Sequence, residues 1–263
     1  AALKDDDSVV TWGTSGWGGD SSSVADQLSS GVIKVFSNSG AFSALKDDGS
    51  IVTWGSTNHA GDSSSVADQL SSGVVQIFST VNSFAALKDD GSVISWGESD
   101  WGGDSSRVAD QLKSGVVQLF STHSAFAALK DDGSVILWGS PSGGDSTRIF
   151  DQLSSGVVKI FSTVSAFAAL KDDGSVMTWG ISGRGGDSSK VSDHLFSGVV
   201  QIFSSQYAFA ALKADGSVIT WGAPDSGGDS SSVADQLRSG VAQIFSSRYA
   251  FAALKDDGSV ITW

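Results

Sequence analysis

The sequence predicts an all-β chain of tandem 42-residue repeats folded as a β-propeller. Three observations carry that expectation. A tryptophan recurs at Trp12, Trp54, Trp96, Trp138, Trp179, Trp221 and Trp263, spaced by 42, 42, 42, 41, 42 and 42 residues. Leucines at Leu3, Leu45, Leu87, Leu129, Leu170, Leu212 and Leu254 keep the same period, so the repeat runs through the whole chain with one single-residue deletion near Pro141. Finally, Glu98 is the one glutamate among 29 acidic residues, and aspartate favours turns and caps where glutamate favours helix surfaces.

The third copy shows the elements in order. Val116-Val117-Gln118-Leu119-Phe120 follows Gly115 and ends at Ser121-Thr122-His123-Ser124; β-branched and large apolar residues bounded by small polar ones read as a strand and a turn. Ala125 to Lys130 forms a second strand, Asp131-Asp132-Gly133 a hairpin turn, and Ser134 to Trp138 a third strand. Asp-Gly between two apolar runs is a strong hairpin signal, because glycine accepts positive φ without steric cost. The remaining segment, Gly-Gly-Asp-Ser-Ser followed by Val-Ala-Asp-Gln-Leu, has two readings. Either Asp20 caps a helical turn with Val24 and Leu28 on one face and Gly31 at its end, or Ser23 to Leu28 is a short outer strand. Local signals favour the helical turn.

A unit of three strands and one peripheral element cannot bury both faces of its sheet, so copies must stack. The small pairs Ala85-Ala86, Ala127-Ala128, Ala168-Ala169, Ala210-Ala211 and Ala252-Ala253 suit close approach of neighbouring sheets. Phe84, Phe126, Phe167, Phe209 and Phe251 then fill the space between them, and the recurring tryptophans are core. The single repeat domain comprises a hairpin over 1–13 and six repeats, 14–55, 56–97, 98–139, 140–180, 181–222 and 223–263. Seven blades with incomplete terminal blades is the leading arrangement; a six-bladed ring and an open repeat superhelix are the alternatives. In the open form the spare hairpin docks against another copy. The chain begins at Ala1 and its sole methionine is Met177, so the start is expected to be processed, excised or part of something longer.

Phe126-Ala-Ala-Leu129, Asp132-Gly133, Trp138-Gly139 and Gly143-Gly144-Asp145 resemble the regulator of chromosome condensation repeat family, whose units run Ala-Leu, Asp-Gly, Trp-Gly, Gly-Gln-Leu-Gly. The resemblance spans nearly the whole chain and implies a seven-bladed β-propeller. Here the blades are shorter, Gly-Gly-Asp-Ser-Ser replaces Gly-Gln-Leu-Gly, and the histidine before the second strand is absent or displaced. The fold is therefore carried over without the founding member's guanine nucleotide exchange or chromatin binding.

Composition narrows the function classes. A formal charge of -13 repels a phosphate backbone and an anionic lipid surface, which argues against nucleic acid and membrane partners. The absence of cysteine removes disulfides, thiolate nucleophiles and cysteine-ligated metals. No apolar stretch reaches the roughly 18 residues of a spanning helix, and the first residues do not resemble a signal peptide. His59, His123 and His194 occupy unlike positions in the repeat, and no serine, base and acid are brought to one place by the pattern. No enzyme, cofactor or metal site is expected. The aspartates of the hairpin turns, such as Asp47-Asp48 and Asp131-Asp132, are read as turn formers, since calcium wants six to eight converging oxygens. The Gly-Gly-Asp aspartates, among them Asp20 and Asp145, are read as caps.

Variation among copies concentrates in two places that an up-down-up sheet puts on one face. The turn after the first strand reads Ser39-Gly40, Val81-Asn82, His123-Ser124, Val164-Ser165, Gln206-Tyr207 and Arg248-Tyr249. The loop after Trp-Gly varies too, from Thr14-Ser15-Gly16-Trp17 through Ser140-Pro141-Ser142 to Ala223-Pro224-Asp225-Ser226. A constant scaffold displaying variable loops suits recognition, although loops also vary where nothing constrains them. The candidate ligand-binding residues are Trp17, Trp101, His59, His123, Arg184, Tyr207, Tyr249 and Arg248. The expected partner is a protein or a glycan stacked on aromatic rings, with self-association through the terminal hairpins as the structural alternative. The expected setting is extracellular or the cell surface, with a cytoplasmic scaffold as the alternative.

Overall fold

A computed structural model describes residues 1–140 and 153–263. The Pro141-Ser142 loop positions and the Gly143-Gly144-Asp145 motif lie outside the described residues. Among the described residues the fold has six three-stranded antiparallel sheets and one two-stranded hairpin. The chain divides into two compact units, Ala1–Asp131 with Ile136–Ser140, and Asp132–Val135 with Pro141–Trp263. The first holds the hairpin Ala2–Leu3 with Val9–Val10 and three of the sheets; the second holds the other three.

In the third copy the strands are Val116–Ser121, Ala125–Lys130 and Val135–Gly139, within a residue or two of the apolar runs that predict them. Each first strand carries an extra residue at its start. In the fifth copy Val199 faces Lys213 whereas Gln201 faces Leu212, and the intervening Val200 is turned outward, 55% exposed. The hairpin turns follow the Asp-Gly reading. Asp7 stands where the other copies have glycine and adopts the same left-handed conformation, with φ 60°.

The peripheral segment is helical. Short 3-10 turns occupy Ser22–Val24, Ser64–Leu70, Ser106–Val108, Ser189–Val191 and Ser231–Leu237, and Ser192–Leu195 is a single α turn. Leu28, Leu70, Leu112, Leu195 and Leu237 anchor these turns and are fully buried. The aspartate acts one step earlier than a cap. Asp20 Oδ1 accepts the backbone N–H of Ser22 at 2.9 Å while Ser21 holds the cap position; Asp62, Asp104, Asp187 and Asp229 do likewise. This is an Asx turn leading into the helix.

Packing occurs between consecutive copies. In the first unit Ala41 and Leu45 of one sheet meet Leu70, Val74, Ile77 and Phe84 of the next. In the second unit Ala166 and Leu170 meet Leu195, Val199, Ile202 and Phe209 in the same way. Alanines are chosen there because a larger side chain would hold the sheets apart. Trp54, Trp96, Trp138, Trp179 and Trp221 are buried as expected, but Trp12 is 65% exposed. Its siblings Trp54, Trp96, Trp138 and Trp221 each donate to a backbone carbonyl of the loop at the start of their copy. The recurring lysines share one kind of partner. Lys46, Lys88, Lys130, Lys213 and Lys255 each donate to a backbone carbonyl at the end of the peripheral turn, that of Gln27, Gln69, Gln111, His194 and Gln236, a placement that suits a cation near a helix C-terminus. Among the described residues, no helix is long and apolar enough to cross a membrane.

Candidate recognition site

The turn after the first strand and the loop after the third strand do share one end of each sheet. Ser56 N donates to Gly40 O at 2.9 Å, Glu98 N to Asn82 O, Ile181 N to Ser165 O and Ala223 N to Tyr207 O. The turns are further linked from copy to copy. In the first unit Ser39 N donates to Val81 O and Val81 N to His123 O; in the second, Val164 N donates to Gln206 O and Gln206 N to Arg248 O. Side chains one repeat apart are thereby made neighbours.

In the first unit this end is aromatic, with Glu98 and Asp100 in the loop that carries Trp101. The rings of Trp17 and His59 lie 5.1 Å apart, tilted by 42°. Trp101 meets His123 edge-on at 5.8 Å. Trp17 and His123 are exposed, whereas His59 and Trp101 are half-buried. His59 is the most constrained: Ser56 Oγ lies 2.9 Å from its Nδ1, and Asn38 Nδ2 donates to its carbonyl. Its ring fills the space beside Gly40, where an added Cβ would come within 2.7 Å of His59 Cγ.

In the second unit the same positions carry cations and phenols. The Arg184 guanidinium lies over the Tyr207 ring, 4.6 Å from its centroid, and Nη1 donates to Ser165 Oγ at 3.3 Å. Arg248 lies over Tyr249 at 5.1 Å and its Nε donates to Gln206 Oε1 at 2.8 Å. Gln206 Nε2 donates in turn to Tyr207 Oη at 3.2 Å. All eight sequence-derived candidates therefore fall in side-chain pairs at this end of their unit. Gln206, Ser165, Asn38 and Gly40 were missed as members. Gln206 was traceable, since it stands one 42-residue step before Arg248.

The opposite end carries the Asp-Gly turns. The Asp90 carboxylate is held below its ordinary value by the Ser92 hydroxyl and then by the Ser92 backbone N–H; Asp48, Asp173, Asp215 and Asp257 share that arrangement. One oxygen of each of these carboxylates is engaged within its own turn. Among the described residues, no three His, Asp or Glu side chains gather as a metal site requires. Two clefts of about 660 and 610 Å³ lie between the outer helical turns of neighbouring copies in the first unit. Lys46 and Asp48 line the first, and both are satisfied locally, by Gln27 O and Ser50 N.

No family model matches the chain, and a search of curated proteins finds no match in sequence. Solved structures are similar in fold. Prp20p from Saccharomyces cerevisiae, described with its binding properties to Gsp1p and histones, has a TM-score of 0.50 at 18% identity over 88% of this chain and 71% of its own. Yeast RCC1 (Prp20) bound to Kap60 has the same TM-score and identity over 88% of this chain and 69% of its own. Human WBSCR16 has a TM-score of 0.45 at 20% identity over 73% and 61%. At the yeast protein's level of similarity the likeness concerns the fold: a β-propeller of the regulator of chromosome condensation type, in which the six sheets and the hairpin fit seven blades.

Proposed function

We propose that this chain is a non-catalytic interaction scaffold that recognises a protein through its variable loop end. One observation carries the reading. The residues that differ between copies are paired in space, Trp17 with His59 and Trp101 with His123, Arg184 with Tyr207 and Arg248 with Gln206, on sheets whose Ala, Phe, Leu and Trp positions repeat. Drift in unconstrained loops gives no reason for such pairing. Tryptophan, tyrosine and arginine are the side chains that anchor protein interfaces most often. The fold neighbours support the same class of activity, since Prp20p is described as binding Gsp1p and histones and yeast RCC1 as bound to Kap60.

The test is capture by the immobilised chain from a cell extract, run beside a glycan array, with the double variant Trp17→Ala, Trp101→Ala as comparison. A defined protein set retained by the wild type and lost by the variant is the expected result. Identical retention by both, or binding to glycans alone, would overturn the reading.

A second reading, self-association through the terminal sheets, is favoured by apolar exposure there. Leu3, Val10 and Trp12 in the first hairpin and Phe245 and Val260 in the last sheet are 40% to 65% exposed, whereas Leu45, Val52 and Trp54 are buried. Light scattering at several concentrations tests it, a constant monomer mass being the contrary result.

A further inference from the structure

We propose that the Arg184, Tyr207, Gln206, Arg248 and Tyr249 cluster of the second unit is a carboxylate-recognition site for an acidic peptide segment. This rests on the interaction-scaffold reading and gives its second unit a ligand class.

The cluster is continuous. Arg184 rests on Tyr207, Tyr207 accepts from Gln206, Gln206 accepts from Arg248, and Arg248 rests on Tyr249. The two guanidiniums are thus held on one surface by neutral groups. Each uses one N–H in the bonds described, Arg184 to Ser165 Oγ and Arg248 to Gln206 Oε1. A guanidinium has five N–H donors in a planar fork that matches a carboxylate. Stacking on a phenol fixes the plane and leaves its edge open, so less rotamer freedom is lost when a ligand pairs with it.

Neither guanidinium is neutralised by a carboxylate among the described residues. The chain carries 29 acidic residues against 16 basic ones, yet few of the described cations pair with a carboxylate. Among the described residues Lys4 pairs with Asp6, Lys113 with Asp110 and Arg238 with Asp235, and neither Arg184 nor Arg248 joins such a pair. Both side chains are exposed. Their counterparts in the first unit are aromatic: Arg184 stands at the Trp17 position and Arg248 at the His123 position.

A peptide is favoured over an acidic sugar because a guanidinium already lies over each phenol ring, which leaves a pyranose less ring to stack on. Two arginines linked through one glutamine suit a segment with carboxylates on nearby residues. The net charge of -13 opposes an acidic ligand at long range, but screening confines that field to about 8 Å at physiological salt, and bidentate pairs act at contact. A nucleic acid strand, which needs many neutralised phosphates, gains far less from two arginines.

The experiment titrates fluorescently labelled octaglutamate into the full chain and follows polarisation. Octaglutamine, polygalacturonate and the control variant Arg238→Ala complete the set. Saturable binding of octaglutamate but not octaglutamine is expected, weakened roughly threefold to tenfold by Arg184→Ala and by Arg248→Ala and unchanged by Arg238→Ala. Absence of saturable octaglutamate binding, indifference to both arginine substitutions, or tighter binding of polygalacturonate would each overturn the proposal. If it fails while the Trp17- and Trp101-dependent capture of proteins persists, the interaction reading stands without this site; loss of both removes the two together.

Discussion

Trp54 Nε1 donates a hydrogen bond to the backbone carbonyl of Gly18, 3.1 Å away and 36 residues earlier in the chain. The same bond joins Trp96 to Ala60, Trp138 to Gly102, Trp221 to Gly185 and Trp263 to Gly227. The accepting residue directly follows Trp17, His59, Trp101, Arg184 and Ser226 in turn. A constant tryptophan at the end of each copy therefore fixes the loop at the start of that copy, the one that displays its variable residue. The scaffold and the recognition end are mechanically one device within each unit.

Replacing Trp54 with Phe keeps most of the ring, which stacks on Phe42 at 5.3 Å, but removes the donor. The Gly18 carbonyl is then left without that bond, at a cost of about 1–3 kcal/mol. Thermal unfolding monitored by circular dichroism should show the loss, and the Trp17 loop should exchange its amides faster. Trp12→Phe is the control: that ring is 65% exposed, so a change within about 0.5 kcal/mol is expected. Equal effects at both sites would contradict the account.

Two positions in the first unit depart from their siblings at a structural cost. Ser43 is fully buried with no partner for its hydroxyl, where the other copies have alanine at Ala85, Ala127, Ala168, Ala210 and Ala252. Ala60 has φ 69°, where Gly18, Gly102, Gly185 and Gly227 stand in the other described copies. Ser43→Ala removes an unsatisfied buried group and Ala60→Gly relieves a left-handed alanine, each worth about 1 kcal/mol. Each substitution should raise Tm by roughly 2–4 °C, additively if the sites are independent. A fall in Tm for either would show that the neighbours have adapted to it.

Acid should weaken the hairpin turns. The carboxylates of Asp48, Asp90, Asp173, Asp215 and Asp257 are lowered from 3.8 by the hydroxyl and then the N–H of the serine two residues on. The unfolded chain then binds more protons than the native one around that value, so stability rises with pH there. The contribution is complete above about pH 4 and is lost as pH falls through the lowered native values. Asp90→Asn keeps an acceptor for Ser92 but removes the titration. Melting at pH 7 and pH 3 should therefore show a smaller acid loss for this variant than for the wild type, and an identical loss would exclude the mechanism.

Much of this was legible in the sequence because the same signal is printed seven times. One Asp-Gly between apolar runs is a local hint, whereas Leu, Asp-Gly and Trp at a fixed 42-residue period leave little room for another strand order. The peripheral segment resisted for a physical reason: Val24 and Leu28 are four apart, a spacing that fits a helical turn, yet a segment this short also fits a strand. Burial of Leu28 against Val32 and Trp54 decides it, and that is a tertiary fact. The candidate residues were visible as variation, but their pairing was not. Trp17 and His59 lie 42 residues apart, and only the lean of one loop against the next brings their rings together.

That lean has a consequence at Gly40. The other copies place Asn82, Ser124, Ser165, Tyr207 and Tyr249 there, and the Gly40 Cα is crowded by His59, whose Cγ and Nδ1 would sit 2.7 and 3.0 Å from an added Cβ. The atoms concerned are at the base of the imidazole, so a rotamer change alone does not clear them. Gly40→Ser should destabilise the first unit by about 1–3 kcal/mol through overpacking and displace the ring from Trp17, quenching or releasing its fluorescence. His59→Ala opens the space at little cost because the side chain is half-buried. The double variant should then be more stable than Gly40→Ser alone, a coupling that a double-mutant cycle measures directly. Strict additivity of the two substitutions would mean that the turn and the neighbouring loop do not constrain one another.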